Sequence, residues 1–146
     1  MEIENLSLRI DEAPLNELIT KKLPKGTNLQ ELKVVMEEGE VSLEGKYFAV
    51  MFPIKFKVLL HVHLEGNNIS VAFKDFKIQG MPAALFKNML IEFITEQTEG
   101  IEGIIAQEKG ILIVPEAMLK KEGIKLGGNL QKIECLKGAV RIIAGT

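Results

Sequence analysis

The sequence has no tryptophan, one cysteine, two histidines, two arginines and two aspartates in 146 residues. A lone Cys135 excludes an internal disulfide framework. Net charge is −2 with a pI near 5.8, so there is no basic excess to suit a nucleic-acid-binding domain. No stretch approaches the roughly 18 uninterrupted apolar residues of a membrane span. The opening segment MEIENLSLRI lacks the basic region and apolar core of a signal peptide. The expectation from these two absences is a cytoplasmic protein, or an envelope-associated one if a leader or anchor lies outside the chain. Scarce Arg and Asp are balanced by abundant Lys and Glu. That bias is reported for proteins of hot-living organisms, and a low-GC genome produces a similar one.

What is present is apolar capacity. Apolar residues make up 47% of the chain, enough for one sizeable core and too much for intrinsic disorder. No linker or low-complexity stretch interrupts it, so residues 1–146 are expected to form one domain.

Leu6, Leu8 and Ile10 alternate with polar neighbours, placing a half-buried strand over residues 3–10. Asp11 is placed to cap a helix with Pro14 in its first turn, and Leu15, Leu18, Ile19 and Leu23 share one face before Pro24-Lys25-Gly26. Strand alternation resumes at Leu32, Val34 and Met36, turns at Glu38-Gly39, and continues through Val41, Leu43, Tyr47, Phe48 and Val50. Gly45 reads as a bulge or bend within that strand.

The most informative segment runs from Ile54 to Gly80. Ile54, Phe56, Val58, Leu60, Val62 and Leu64 occupy one strand face, opposite Lys55, Lys57, Leu59, His61, His63 and Glu65. Eleven alternating residues make a strand of roughly 37 Å, about twice the usual length. After a Gly66-Asn67-Asn68 turn, Ile69, Val71 and Phe73 lead to Phe76 and Ile78. That change of phase predicts a bulge near Lys74-Asp75. Long bent strands with one apolar face need something to wrap around. The helix following Met81-Pro82 suits that role, with Leu85, Phe86, Met89, Leu90, Phe93, Ile94 and Gln97 as its inner stripe and Gly100 as its stop. Short units complete the chain: an ambiguous segment at 101–106, a strand at 110–114, a helix at 115–122, and a hairpin of 130–136 and 139–144.

Sites of chemistry are sparse. His61 and His63 lie on one strand face and could share a metal, yet no zinc-type ligand spacing accompanies them, and solvent-facing histidines are the simpler reading. Cys135, between Ile133 and Leu136, has no partner base in the sequence and reads as a core or near-core residue. The glycines form neither a P-loop nor a dinucleotide fingerprint. Lysines 55, 57, 74 and 77 could form a basic outer stripe touching an anionic surface, or simply be solvated. No catalytic constellation and no cofactor or metal site is expected, and the chain is read as a non-enzyme.

The segments SLRIDEAPLNELITKKLP, VSLEGKY, IKFKVLLHVHLEGNNISVAFKDFKIQG, PEAMLKKEGI and KIECLKGAVRIIAG, in this order, resemble the tubular lipid-binding superfamily. That group contains the bactericidal permeability-increasing protein and the synaptotagmin-like mitochondrial lipid-binding domains. The likeness is nearest to small bacterial members of the DUF2993 (LmeA-like) kind and covers about Leu6 to Ala144. It implies a strongly curved antiparallel sheet rolled around a long helix, with an apolar seam able to hold acyl chains. Such modules often pair end to end or carry a membrane anchor, and none is visible here.

The resulting expectation is an α+β domain: a long, strongly bent antiparallel sheet around one long helix, with one or two shorter helices. A lipid or acyl chain would lie among Ile54, Phe56, Val58, Leu60 and Val62 of the strand and Leu85, Phe86, Met89, Leu90 and Phe93 of the helix. Peripheral membrane contact and a homodimer are possible partnerships, and nucleic acid is not expected. The alternative is a structural domain with a fully packed core that self-associates through a sheet edge or apolar strip.

Overall fold

A computed structural model describes residues 2–3, 5–49 and 52–145. Among these described residues, the alternating apolar positions build three sheets and three helices, an α+β arrangement. The largest sheet has six antiparallel strands in the order β3 (Leu29–Glu37), β4 (Glu40–Ala49), β5 (Phe52–Glu65), β6 (Asn68–Ile78), β8 (Gly110–Ile113) and β7 (Ile104–Gln107). A three-stranded antiparallel sheet has the order β10 (Asn129–Leu136), β11 (Ala139–Gly145) and β2 (Leu6–Asp11). The two-residue strands β1 (Glu2–Ile3) and β9 (Lys125–Leu126) pair in parallel. The helices are α1 (Glu12–Lys22), α2 (Ala83–Thr98) and α3 (Pro115–Lys121).

β5 is longer than its alternation alone indicates, running 14 residues. The change of phase in β6 is a bulge: Val58 pairs with Phe76 and Leu59 with Lys74, leaving Asp75 unpaired at φ 45°. A second bulge lies in β3, where Gln30 pairs with Lys46 and Lys33 with Glu44, and Glu31 takes φ 52°. Gly45 therefore faces a bulge without being one, since its own pairing to β5 is regular. The missing side chain at Gly45 makes room for the Phe56 ring, because a Cβ there would sit 2.9 Å from it. Both bulges bend and twist their strands. The strand expected over 3–10 is divided between β1 and β2, and Val50 lies outside the described residues.

Two apolar clusters share the inner face of the six-stranded sheet. Toward one end, Phe86 and Leu90 of α2 pack on Leu29, Leu43, Phe56, Val58 and Phe73. Toward the other, Leu130, Val140, Ile142 and Ala144 of the small sheet pack on Met36, Val41 and Ile69. The long strands thus wrap α2 for part of their length only, and the small sheet covers the remainder.

The edge strand β3 is closed off by α1. The Asn16 side chain donates to the Val34 carbonyl at 2.8 Å and accepts from the Val34 N–H at 2.6 Å. Glu12 accepts from the Met36 N–H at 2.8 Å, and the Gly138 N–H donates to the Met36 carbonyl at 2.8 Å. Side chains thereby occupy groups that an open edge would offer to another chain. Asp11, expected to cap α1, makes no side-chain cap bond. Its carboxylate is engaged by Arg9 Nε at 2.7 Å instead. Leu18, assigned to the packed face of α1, is 52% exposed.

Asn16→Ala should leave both Val34 groups without their side-chain partner and lower stability by roughly 1–3 kcal/mol. Urea unfolding measures this, and an unchanged midpoint would mean the edge closure carries no weight.

Candidate apolar cleft beside the second helix

Helix α2 is made by tertiary packing more than by its ends. Its N-cap Pro82 makes no side-chain cap bond, and it has no acid in its first turn and no base in its last. Phe86 and Leu90, each 1% exposed, anchor it. The Phe86 ring lies 4.7 Å from Phe56, 6.2 Å from Tyr47 and 6.3 Å from Phe76, in tilted and edge-on arrangements. Such geometries suit aromatic quadrupoles.

The helix lies nearest β6 and β7, which leaves room on its β3–β4 side. An open cleft of about 160 Å³ forms there. Phe86, Met89, Leu90 and Phe93 line it from the helix, with Thr27, Asn28, Leu29 and Tyr47 opposite. An apolar cavity of similar size can accept a benzene ring, whereas whole-ligand pockets run to several hundred Å³. The cleft therefore accommodates a ring or a short alkyl segment. A longer chain would have to extend out of it or displace α2.

The structure divides the residues expected to line a seam. Phe86, Met89, Leu90 and Phe93 meet at the cleft. Ile54, Phe56 and Val58 are buried core, with Val58 fully inaccessible. Leu60 touches both apolar clusters, while Val62 packs with the cluster beneath the small sheet. Leu85 is 52% exposed, so it does not belong to the inner stripe, and Gln97 is exposed too. The far wall went unforeseen. Tyr47 follows from the alternation of Val41, Leu43 and Gly45, but Leu29 is hidden because the Glu31 bulge reverses the phase of β3.

His61 and His63 lie on the outer face, with ring centroids 4.7 Å apart. His63 Nδ1 is buried and has no hydrogen-bond partner among the described residues. Among the described residues, no group of three or more His, Cys, Asp or Glu could hold a metal ion. Cys135 is half-buried against the small-sheet cluster, and burial pushes its thiol pKa up. At the other extreme of exposure, the Glu31 carboxyl is held below its usual range by Lys46, whose Nζ lies 2.9 Å away.

Among the described residues, no helix is long and apolar enough to cross a membrane. No family model, curated protein or solved structure matches the chain.

A raised thiol pKa means less thiolate at a given pH, and the thiolate is the reacting species. Cys135 should therefore be alkylated by iodoacetamide several-fold more slowly at pH 8 in the folded protein than in denaturant. Equal rates would show that the thiol is neither shielded nor shifted.

Proposed function

We propose that the chain is a non-enzymatic binding domain for a lipid or another apolar ligand, related to the tubular lipid-binding superfamily. One observation carries this reading: an open apolar cleft lies between the long helix and the curved sheet, bordered by Met89 and Phe93 and floored by Phe86 and Leu90. The positions of α2 on the inner face and of the bulges in β3 and β6 support the same relationship. A ligand end entering the cleft would gain about 25 cal/mol for each Å² of apolar surface removed from water, less the cost of association and ordering. Polar selectivity would come from the rim, where Thr27, Asn28 and Tyr47 supply hydroxyl, amide and backbone groups.

A packed scaffold is the second reading, favoured by the complete burial of Phe86, Leu90 and Val58 and by the modest cleft volume. Self-association in that case would use a surface other than β3, whose edge α1 closes. Ile105 on the edge strand β7, 51% exposed, and Ile101 just before it, 46% exposed, are apolar residues such a contact could use.

The two readings separate on uptake of a fluorescent fatty acid by the folded protein. Met89→Asp and Phe93→Asp alter half-buried rim residues and should weaken uptake at least tenfold while the circular dichroism spectrum is preserved. Substitution at the buried Phe86 would instead place an unpaired charge in the core and test folding. His61→Ala and Cys135→Ser should change uptake less than twofold. Absence of stoichiometric uptake by the wild-type protein, or full uptake by Met89→Asp, would overturn the proposal.

A further inference from the structure

The outer face of the six-stranded sheet, the reverse of the face that α2 covers, carries a second open groove of about 440 Å³. Strand register settles which side chains share that face. Lys33 stands opposite Glu44 and Lys46 opposite Lys55. Glu44 and Lys46 are two apart on β4, so all four project from the same side of the sheet. Leu43, Tyr47 and Phe56 project from the other side and pack with the α2 cluster. Gly45, which has no side chain, floors the groove, and the Phe56 ring fills the space beneath it.

Glu31 enters the groove from the bulge in β3, and its carboxylate lies 2.9 Å from Lys46 Nζ. A φ of 52° is uncommon for a residue with a Cβ, and the residue held there is an acid. Its carboxyl is held below the usual range chiefly by Lys46, and also by Lys33 and Lys55. Ammonium groups from three adjacent strands thus act on one point. Among the described residues, neither Lys33 nor Lys55 makes an ion pair, and Lys55 stands directly opposite Lys46. Like charges at such positions destabilise a sheet. Glu44 accepts from the Ser42 hydroxyl at 3.5 Å rather than from a lysine. One carboxylate therefore serves one lysine of three.

We propose that this groove binds the phosphate group of a small soluble phosphate monoester, held by Lys33, Lys46 and Lys55, with Glu31 as the internal anion it displaces. A phosphate monoester carries a charge of about −1.5 to −2 at pH 7 and three acceptor oxygens. It would bond Lys46 and Lys55 together, where Glu31 bonds Lys46 alone. Lysine serves phosphate as a point charge and needs no planar fork. The Glu31 side chain is 66% exposed, so it can turn into solvent when a stronger anion arrives. Glu44 stays in the groove, and with Glu31 it leaves carboxylates that a continuous anionic layer would meet and a single phosphate need not. The groove and the cleft lie on opposite faces of the sheet, so this site does not depend on how the cleft is read.

An NMR titration of the ¹⁵N-labelled protein with glycerol phosphate at low salt tests the site. The backbone amides of residues 31–33, 44–46 and 55 should shift together along one saturable curve. Acetate at matched ionic strength should bind at least fivefold more weakly. Glu31→Gln should tighten glycerol phosphate binding at least threefold by removing the internal competitor. Glu65→Gln makes the same change of charge at the far end of β5 and should leave binding unaltered. Lys46→Gln combined with Lys55→Gln should weaken binding at least fivefold while the circular dichroism spectrum is preserved. Absence of a saturable shift in the wild-type protein would overturn the proposal, as would an effect of Glu31→Gln no larger than that of Glu65→Gln. Binding to phosphatidic-acid vesicles without any response to glycerol phosphate would also overturn it, assigning the lysines to a lipid layer.

Discussion

The inner face of the β5–β6 hairpin is apolar from end to end, and no single element of the chain can cover it. Everything else is arranged around that constraint. α2 spans 16 residues, which at 1.5 Å per residue is about half the length of a 14-residue strand at 3.4 Å per residue. A second cover is therefore required. The three-stranded sheet provides it, with Leu130, Val140 and Ile142 over Met36, Val41 and Ile69. Residues such as Val34, Leu60 and Val71 touch both clusters and make the two covers one continuous interior.

The same constraint explains the edges. A long sheet built for its inner face still exposes backbone at β3, and the chain meets this with polar side chains. Asn16 and Glu12 bond β3 backbone while α1 leaves no residue fully buried. α1 contributes to specificity at an edge more than to apolar burial. That role fits its exposed Leu18 and the lack of a side-chain cap at Asp11, while Leu15 alone of the expected stripe packs on the small-sheet cluster.

Period-two alternation made most of the architecture legible. It located the long hairpin, the turns at Gly39 and Gly66, and the phase change now seen at Asp75. The Glu31 bulge was not legible, because its surroundings, Gln30-Glu31-Leu32-Lys33, contain only one apolar residue whose phase could register the slip. Gly45 marked the right place but the wrong strand, as its effect is to admit Phe56. The site was half legible for a related reason. Helical spacing identified Phe86, Met89, Leu90 and Phe93, but it does not say which strands a helix leans toward. The closer approach of α2 to β6 and β7 leaves Tyr47 beside the open cleft, whereas Val58 is fully buried.

A cleft of about 160 Å³ is small for a lipid chain, and the attachment of α2 bears on how it would enlarge. The helix carries no charges that complement its dipole and no N-terminal side-chain cap, so its stability derives from packing. Its neighbours are chiefly apolar side chains that can be exchanged for other apolar groups without leaving a polar atom unpaired. An entering chain could thus replace, contact for contact, what a shift of α2 gives up. The edge at β3 differs in kind, because its hydrogen bonds to Asn16 and Glu12 have geometry that apolar substitution cannot restore. Enlargement of the cleft is therefore expected to move the helix and leave the β3 wall fixed.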